Sequence, residues 1–423
     1  TAERAGRQPR KGKAEERKKQ VDIHSILLQT SMKPGEILTR TLRVAARECG
    51  QIARNPIYLF CMVVFPVIVT YFFTSMLGEG QPENLPVGVV DQDRTEVTRA
   101  MTRRLDGFQT TQVKDYYPSP SDARKAMQRG EIYGFIVFPE GMTASLLASK
   151  QPHVPFYYSS VTMLPGSLVY RDLVTVTSLG AASVGQAKLQ MLGKTDQEVM
   201  NFLQPITIDL HMTGNPWSNY NVYLSSIMVP GVLGIFIFLI TVYSIGTELK
   251  FGRGREWIRL SGNNIVVALA GKFLPQFLLF TAVFLGYMIY IFGRLDFPHP
   301  GGLSSILLLT LLMVLASEGF GIFIFGLLPS LRMSMSVSSL WGVLGISICG
   351  ATFPVFAMDP VLQGLSYLFP LRHYWMIYQL NVFNGFPLSD AYTNIAALLL
   401  FALLPLLTMY RTKKAMLEYV YIP

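Results

Sequence analysis

Six long apolar stretches constrain the fold of this 423-residue chain more than any other feature. They occupy residues 57–77, 222–245, 265–292, 303–328, 334–356 and 391–410. A helix needs about 20 mostly apolar residues to cross the hydrocarbon of a bilayer, and the prolines inside several stretches are tolerated there. Charged residues make up only 15% of the chain, below the share of about 25% in soluble proteins. We therefore predict a polytopic α-helical membrane protein with six spans.

The distribution of charge predicts how these spans are oriented. Residues 1–54 hold 13 Lys and Arg against 6 Asp and Glu, residues 246–264 hold 4 against 2, and residues 411–423 hold 3 against 1. Residues 78–220 instead hold 12 against 14. The positive-inside rule places the first three segments in the cytoplasm and 78–220 outside, with both ends of the chain inside. The net charge of +9 thus reports orientation, and no nucleic-acid partner is expected because no folded soluble domain is basic.

Two N-terminal segments precede the first span. Residues 1–33 are mixed in charge and poor in apolar residues, which predicts a disordered basic tail. Residues 34–55 predict an amphipathic helix in which an apolar stripe opposes a basic one. The apolar stripe comprises Leu38, Leu42, Ala45, Cys49 and Ile52, and the basic stripe comprises Arg40, Arg43, Arg47 and Arg54. Such a helix lies in the interface of an anionic membrane; the alternative is a helix packed on another protein.

The external segment, 78–220, alternates short apolar runs with polar helical ones. Strands are predicted at 85–90, 109–116, 132–138 and 154–158, and helices at 95–105, 121–129 and 142–149. This pattern is typical of a small α/β domain with a βαβ-type sheet. A long helix at 166–192 and an extended piece at 206–212 follow. The segment contains no cysteine, so we expect it to fold without disulfides.

The second cytoplasmic connection contains a predicted short helix within 252–263. Trp257 and Leu260 share one side of it, and an apolar face on a short cytoplasmic helix indicates a docking surface. The alternative is a tryptophan that anchors the chain at the membrane interface. The candidate docking residues are Arg253, Arg255, Glu256, Trp257, Ile258 and Arg259.

Ionisable residues are scarce within the predicted spans of the five-span region, 222–410. Glu318 lies well within the fourth span, where an ionisable residue is a functional candidate by default. It could line a polar path or couple protons, or it could be protonated or bonded to a neighbouring helix. Lys272 is near enough to the cytoplasmic end of its span to reach water with its side chain. Prolines break up 353–372, which predicts short external helices that re-enter the outer leaflet.

The sequence offers no anchor for an enzyme. It contains no GxxxxGK[ST] loop, no HExxH and no GxSxG. The three cysteines, Cys49, Cys61 and Cys349, are too far apart to indicate a metal cluster or a disulfide framework. We therefore predict no catalytic residues, no metal and no cofactor bound by this chain.

Several local sequences, in this order, resemble the type-2 permeases of bacterial ABC exporters that carry a large external domain between the first and second spans. Residues 86–93 (Pro-Val-Gly-Val-Val-Asp-Gln-Asp) open the outer domain, and 129–139 form a second match. Residues 215–220 (Asn-Pro-Trp-Ser-Asn-Tyr) precede the second span, and 228–231 (Met-Val-Pro-Gly) lie within it. Residues 246–272 and 353–370 also fit.

The resemblance implies a bacterial inner-membrane permease that works as a dimer with a second copy or a paralogue. A separate ATPase subunit would bind ATP and magnesium in the cytoplasm, and 252–263 would be the coupling helix that receives its motion. A periplasmic adaptor and an outer-membrane channel are further candidate partners. An apolar pathway suits a hydrophobic or amphipathic substrate such as a drug, lipid or peptide.

Two other classes compete with an exporter. A non-transporting scaffold or sensor would use the outer domain to bind an envelope component, but a single anchor would suffice for that role. An ion-driven carrier predicts internally repeated groups of spans, whereas the sequence shows one span, a domain and then five spans. The segment 411–423 is predicted to be a cytoplasmic tail in all cases.

Overall fold

The protein is described by a computed structural model that covers residues 33–148 and 150–421. All of the predicted tail except Lys33 lies outside these residues. Residues 77–221 form one compact unit, and the described residues on either side of them form a second. The helices are α1 (Pro34–Arg54), α2 (Pro56–Met76), α3 (Glu96–Asp106), α4 (Pro120–Gln128), α5 (Met142–Leu147), α6 (Met163–Met191), α7 (Asp196–Leu203), α8 (Tyr220–Lys250), α9 (Gly254–Leu260), α10 (Ile265–Gly293), α11 (Leu303–Leu327), α12 (Leu331–Ile348), α13 (Pro360–Ser366), α14 (Pro370–Ile377), α15 (Tyr392–Leu403) and α16 (Pro405–Glu418).

Six helical segments are long and apolar enough to cross a membrane. They are α2, α8, α10, α11, α12 and the segment Leu388–Glu418, which contains α15 and α16. Residues 33–148 and 150–421 are therefore mostly helical, with six candidate membrane helices and one small sheet. This part of the predicted fold class is confirmed.

The fifth of these helices is shorter than predicted. It ends at Ile348, whereas the apolar pattern continued to residue 356. Gly350 has φ +98°, a left-handed conformation that ends the helix and that glycine adopts without strain. Arg372 donates from Nη1 to the carbonyl of Cys349 at 3.1 Å, which satisfies a terminal carbonyl of the helix.

The chain turns between α1 and α2 at Asn55. This residue has an extended backbone, and its side chain accepts a hydrogen bond from the amide of Ile57 at 3.0 Å. Pro56 occupies the first helical position, where its missing donor costs nothing. Within α2, the turn Phe60–Val64 is π-helical and comes just before Pro66, which cannot donate to the preceding turn. Asn55 thus separates an amphipathic helix from an apolar one.

Helix α11 lies at the centre of the membrane unit. Its small residues let neighbouring helices approach closely, as is common between membrane helices. A Cβ on Gly321 would lie 2.8 Å from the Thr241 side chain of α8, and one on Gly319 would meet the backbone of Phe401 in α15. The central helix therefore depends on glycine at these two contacts.

The segment predicted to contain short broken helices has them. A 3-10 turn at Val355–Ala357 is followed by α13, and α14 continues as a π-helical stretch, Tyr378–Phe383. Asp359 caps α13 by accepting from the amide of Val361 at 2.9 Å. The placement of this segment relative to the bilayer remains a prediction.

The inserted unit contains a four-stranded sheet in the order β2-β1-β3-β4. The strands are β1 (Leu85–Asp91), β2 (Thr111–Tyr116), β3 (Gly134–Phe138) and β4 (Phe156–Tyr158). Strand β1 pairs in parallel with β2 and β3, and β4 is antiparallel to β3. The core includes Val87, Val89 and Ile136, all fully buried, and part of α6 packs on it. The predicted α/β sheet is confirmed.

Two features of this unit differ from the prediction. Helix α7 was not predicted, although Thr195 and Glu198 form a capping box at its start. Residues 206–212, predicted to be extended, pair with no strand of the sheet. An alternating apolar pattern favours an extended backbone, but it does not show that a neighbouring strand is available for pairing.

Asp93 anchors the loop after β1. Its carboxylate accepts hydrogen bonds from the amide of Thr143 at 3.0 Å and from the hydroxyls of Thr143 and Thr95. Burial acts to raise the pKa of Asp93, but these hydrogen bonds outweigh it and hold the pKa below its ordinary value. The carboxylate therefore stabilises the unit above the unfolded-state pKa of about 3.9. That contribution is lost as the pH falls through the lowered pKa.

We expect Asp93→Ala to speed amide exchange in α5 by about fivefold at pH 7, because a charge-assisted contact at a part-exposed site contributes about 1 kcal/mol. Hydrogen exchange of the full chain, followed by mass spectrometry, measures this rate. Asp115→Ala is the control, since the side chain of Asp115 is exposed and forms no hydrogen bond with any described residue, although its backbone lies in β2. Equal exchange in the two variants would contradict the anchoring role.

Candidate functional site

Helix α1 packs on α10 through a narrow buried face. Val44 is 1% exposed, and Ala45 and Glu48 are also buried. A Cβ on Gly271 of α10 would lie 2.6 Å from the Cβ of Val44 and 2.7 Å from the carbonyl of Thr41. Only glycine allows the two helices to come this close, and the contact brings Glu48 into the membrane unit.

Each predicted stripe of α1 is partly exposed and partly buried. Leu38 and Leu42 are 62% and 53% exposed, whereas Ala45 is buried. Arg47 points towards α8 and does not belong to an exposed basic stripe, contrary to the prediction. The reason is that Arg47 pairs with the carboxylate of Glu248 in α8.

A buried charge cluster lies where α1, α8 and α10 meet. Lys272 donates from Nζ to Glu48 at 2.7 Å and to Glu248 at 3.0 Å. The side chains of Lys272 and Glu248 are fully buried, and that of Glu48 is 1% exposed. Isolated charges at such depth would cost several kcal/mol each. One ammonium held between two carboxylates leaves one negative charge to be balanced.

Arg47 provides that balance. It donates from Nη1 and Nη2 to the two carboxylate oxygens of Glu248, at 2.8 and 2.9 Å. Such a bidentate pair is among the strongest charge-assisted contacts in proteins. Burial acts to lower the pKa of Arg47, but its contacts with Glu248 and the charges of Glu256 and Glu48 raise it overall. The guanidinium therefore stays charged, and the four-residue cluster is neutral.

Two neutral side chains satisfy the remaining oxygen of Glu48. Gln276 donates from Nε2 to Glu48 Oε1 at 2.9 Å and to the hydroxyl of Ser244 at 2.8 Å. Ser244 in turn donates to Glu48 Oε1 at 2.9 Å. Both oxygens of Glu48 thus have partners, as a buried carboxylate requires, whereas Oε1 of Gln276 has none among the described residues. We use the name charge cluster below for Arg47, Glu48, Glu248 and Lys272.

The prediction that Lys272 extends to water is wrong. Its side chain is fully buried, and its Nζ lies 5.3 Å from the ring centroid of Trp257. Two carboxylates within 3.0 Å of Nζ stabilise the ammonium, so the side chain does not need to reach water at the end of the span.

Helix α9 lies beside the charge cluster and buries its apolar face. Trp257 and Ile258 are fully buried, and Trp257 donates from Nε1 to the carbonyl of Ala268 at 3.2 Å. These two residues therefore present no exposed side chain for docking, and their role in ATPase coupling stays a prediction. Their apolar surface is buried in the hydrophobic core formed with α8 and α10. The helix is thus packed against the membrane unit.

The exposed side of α9 carries charge. Glu256 has a side chain that is 62% exposed, and Leu260 is 37% exposed. Glu256 lies 3.7 Å from Nε of Arg47, which connects the exposed side to the charge cluster. Arg255 donates to the carbonyl of Leu417 at 3.1 Å, and Arg253 lies 3.9 Å from Glu248. The exposed surface of α9 and the buried cluster thus share one chain of ionic contacts.

The other predicted arginines line two cavities at this end of the unit. Arg40 and Arg43 line a cavity of about 400 Å³ together with Glu256, Arg259 and Leu260. Arg54 lines a larger cavity of about 550 Å³ with Arg47 and Arg253. The structure therefore brings the basic residues of α1 close to the charged side of α9.

Glu318 lies elsewhere, in α11. It is 3% exposed, and its carboxyl forms no hydrogen bond or ion pair with any residue in 33–148 or 150–421. It does not belong to the charge cluster. Over the same residues, no three His, Cys, Asp or Glu side chains come together as a metal site.

Three of the four members of the charge cluster were missing from the predicted site. Glu48 and Lys272 lie among apolar residues, and that is the signal that could have identified them; Glu248 lies in the charged connection 246–264 and offered no such signal. Glu48 lies four residues after Val44 on the buried face of α1, and Lys272 lies within a span. An ionisable residue in such a position needs a partner of opposite charge.

Six candidate membrane helices among the described residues, with a folded unit inserted after the first, are the features of a polytopic membrane protein. A family model described as ABC-2 family transporter protein matches residues 56–411, and the chain belongs to this family. It is similar to the "Probable multidrug ABC transporter permease YbhR" of Escherichia coli strain K12, with 19% identity over 334 residues. The alignment covers 78% of this chain and 85% of the relative. The same values hold for the YbhR protein of Escherichia coli O157:H7.

The predicted family is thereby confirmed. The chain is the membrane subunit of an ABC transporter, and its candidate spans together with its family indicate an inner-membrane protein.

Proposed function

We propose that this chain is the permease of an ATP-driven exporter and that the exposed side of α9 receives the motion of a separate ATPase. That subunit would bind ATP and magnesium and dock on Glu256, Arg259 and Leu260. The membrane unit would work as a dimer with a second copy or a paralogue. Alternate opening of the two permeases would then move a substrate outwards between them.

The chain of ionic contacts from Glu256 to Glu48 supports this proposal most strongly. Glu256 contacts Arg47, Arg47 binds Glu248, and Lys272 joins Glu248 to Glu48. Displacement of α9 by a docked subunit would therefore act on α1, α8 and α10 together. From Arg47 to Glu48 these contacts are hydrogen bonds of 2.7 to 3.0 Å, which weaken when their donors and acceptors move apart or out of line, so a shift of one helix acts on the others.

The proposed orientation places α1, α9 and the end of α16 in the cytoplasm. The basic excess of residues 1–54, 246–264 and 411–423 supports it through the positive-inside rule. Residues 77–221 would then lie on the outer side, where they could gate release or bind a periplasmic adaptor that leads to an outer-membrane channel.

The proposed substrate is hydrophobic or amphipathic, such as a drug, a lipid or a peptide. The name of the Escherichia coli relative includes the words "probable multidrug", which supports a substrate of this class. Glu318 is the proposed polar position within the membrane, because its buried carboxyl has no described partner to neutralise it.

Reversing a charge on the exposed side of α9 tests the docking surface. We expect Arg259→Glu to lower ATP-dependent export at least tenfold, because a like or misplaced charge at a protein interface costs several kcal/mol. Co-purification of the ATPase with the permease should fall in parallel. Export is measured as accumulation of a fluorescent hydrophobic dye in inverted membrane vesicles.

Arg294→Glu is the matched control, since Arg294 is an exposed arginine just after the opposite end of α10. It should leave export and co-purification unchanged. The docking proposal fails if Arg259→Glu leaves both intact or if the control lowers them equally.

A further inference from the structure

The larger cavity at the end of α1 has the chemistry of a binding site for one phosphate diester. Its volume is about 550 Å³, and its wall is formed by the end of α1, the start of α2, the end of α8 and the residues leading into α9. Arg47, Arg54 and Arg253 line it, together with Asn55 and Tyr58. We propose that the cavity binds the headgroup of an anionic phospholipid of the inner leaflet, such as phosphatidylglycerol.

Charge balance favours an anionic ligand. The groups that line the cavity, with the partners that pair with them, carry four positive and three negative charges. The positive groups are Arg47, Arg54, Arg253 and Lys272, and the negative groups are Glu48, Glu248 and Glu256. The remaining single positive charge matches a headgroup with one ionised phosphate and no ammonium.

Two arginines have donors left for a ligand. Arg54 forms no ion pair with any residue in 33–148 or 150–421. The side chain of Arg253 is 39% exposed and lines the cavity, and its one ion pair with the same residues, to Glu248, is long at 3.9 Å. A phosphate in the cavity would therefore meet two guanidinium groups whose charge is not fully paired.

The position of the cavity suits a lipid rather than a soluble phosphate. It lies at the first turn of α2, where the chain begins its first candidate span, next to exposed apolar side chains. Ile57, Leu59 and Phe60 are 46%, 57% and 49% exposed, and acyl chains could lie along them. Basic pockets at the cytoplasmic ends of membrane helices bind anionic headgroups in this manner. This inference rests on the cytoplasmic orientation proposed above.

Native mass spectrometry of the purified full-length chain tests the site. The chain is titrated with phosphatidylglycerol, phosphatidylethanolamine or phosphatidylcholine in detergent. We expect one tight phosphatidylglycerol adduct, and we expect Arg54→Gln/Arg253→Gln to weaken it about tenfold or more, since each basic residue near such a headgroup contributes about 1 kcal/mol. Arg54→Gln alone should weaken it less. Because Arg54 is exposed and unpaired among the described residues, this variant keeps the fold.

Arg332→Gln/Arg411→Gln is the matched control. It removes the same charge from two exposed positions outside the cavity and should leave the adduct unchanged. Equal loss in both double variants, or equal binding of phosphatidylethanolamine, would overturn the proposal. Complete competition by glycerol phosphate at millimolar concentration would show that the ligand is a free phosphate and would also overturn it.

The outcome is separable from the proposed function. Adducts form on the permease alone, so a failure of ATPase docking would not alter them. The orientation is tested by Arg54→Cys, which a membrane-impermeant maleimide should not label in intact cells. Labelling there would refute the orientation, even if the adduct count stayed at one.

Discussion

Replacing Lys272 with methionine should lower the free energy of unfolding of this permease by about 3 to 5 kcal/mol, the usual cost of breaking a buried ion pair by removing one partner. Lys272 is fully buried and contacts both Glu48 and Glu248. Without it, Glu48 has no ion pair with any described residue, and Glu248 keeps only Arg47 and the more distant Arg253. Reversible unfolding in mixed micelles measures the change, and ATP-dependent export should be lost with it.

The control for this variant is Lys414→Met. Lys414 also pairs with a glutamate, Glu418, at 3.8 Å, but its side chain is 49% exposed. Its loss should cost less than about 1 kcal/mol, because exposed pairs contribute little. Combining Lys272→Met with Glu48→Gln should restore part of the stability by removing one unpaired charge. Equal effects of the two lysine substitutions would refute the charge cluster as a stabilising centre.

The second large effect is expected at Arg47. Arg47→Met removes the only described residue that contacts both Glu248 and the exposed Glu256. If this arginine transmits motion from α9, ATP hydrolysis by the complex should continue while export falls at least tenfold. A residue that merely stabilises the fold would instead lower both in proportion to the amount of folded protein. The ratio of export to ATP hydrolysis in reconstituted vesicles separates these outcomes.

A charge-balanced variant guards against misfolding in that experiment. Arg47→Met/Glu248→Gln removes one charge of each sign, and Gln can still accept a hydrogen bond from Lys272. Its thermal midpoint should lie closer to that of the wild type than the midpoint of Arg47→Met does, while export stays low. Recovery of export together with stability would assign Arg47 a structural role only.

Most of the membrane unit and the sheet could be predicted from local pattern. An apolar run of 20 residues has few alternatives to a membrane helix, and strands such as Leu85–Asp91 are set by short β-branched runs between turns. The apolar pattern was less informative about where a helix ends when a single residue or contact ends it. Helix α12 ends at Ile348 because of Gly350 and Arg372, although the apolar composition continues beyond them.

The charge cluster could not be assembled from the sequence. Glu48 and Glu248 are separated by 200 positions and Glu248 and Lys272 by 24, and no local periodicity links them. The burial of Trp257 could not be predicted for the same reason. A tryptophan on a short charged helix has the same local pattern whether it contacts a partner or its own core, and only the packing of α8 and α10 decides between them.

Cross-linking from α9 would detect the ATPase at its proposed docking surface. In a background without Cys49, Cys61 and Cys349, the chain carries either Arg259→Cys or Arg294→Cys. A short thiol-to-amine reagent is then added to membranes that contain the ATPase. The reaction is read as a higher-mass band that contains both subunits. Arg259 lies shortly before α10 and Arg294 directly follows it, so the two positions are near opposite ends of this helix. Position 294 is therefore the control for position 259.

If the ATPase docks on α9, position 259 should give a cross-link that strengthens when ATP is bound, and position 294 should give none. A cross-link from 294 and not from 259 would place the ATPase on the other side of the membrane unit and contradict both the orientation and the coupling role of α9. No cross-link from 259, with an intact co-purified complex, would show that the ATPase docks elsewhere.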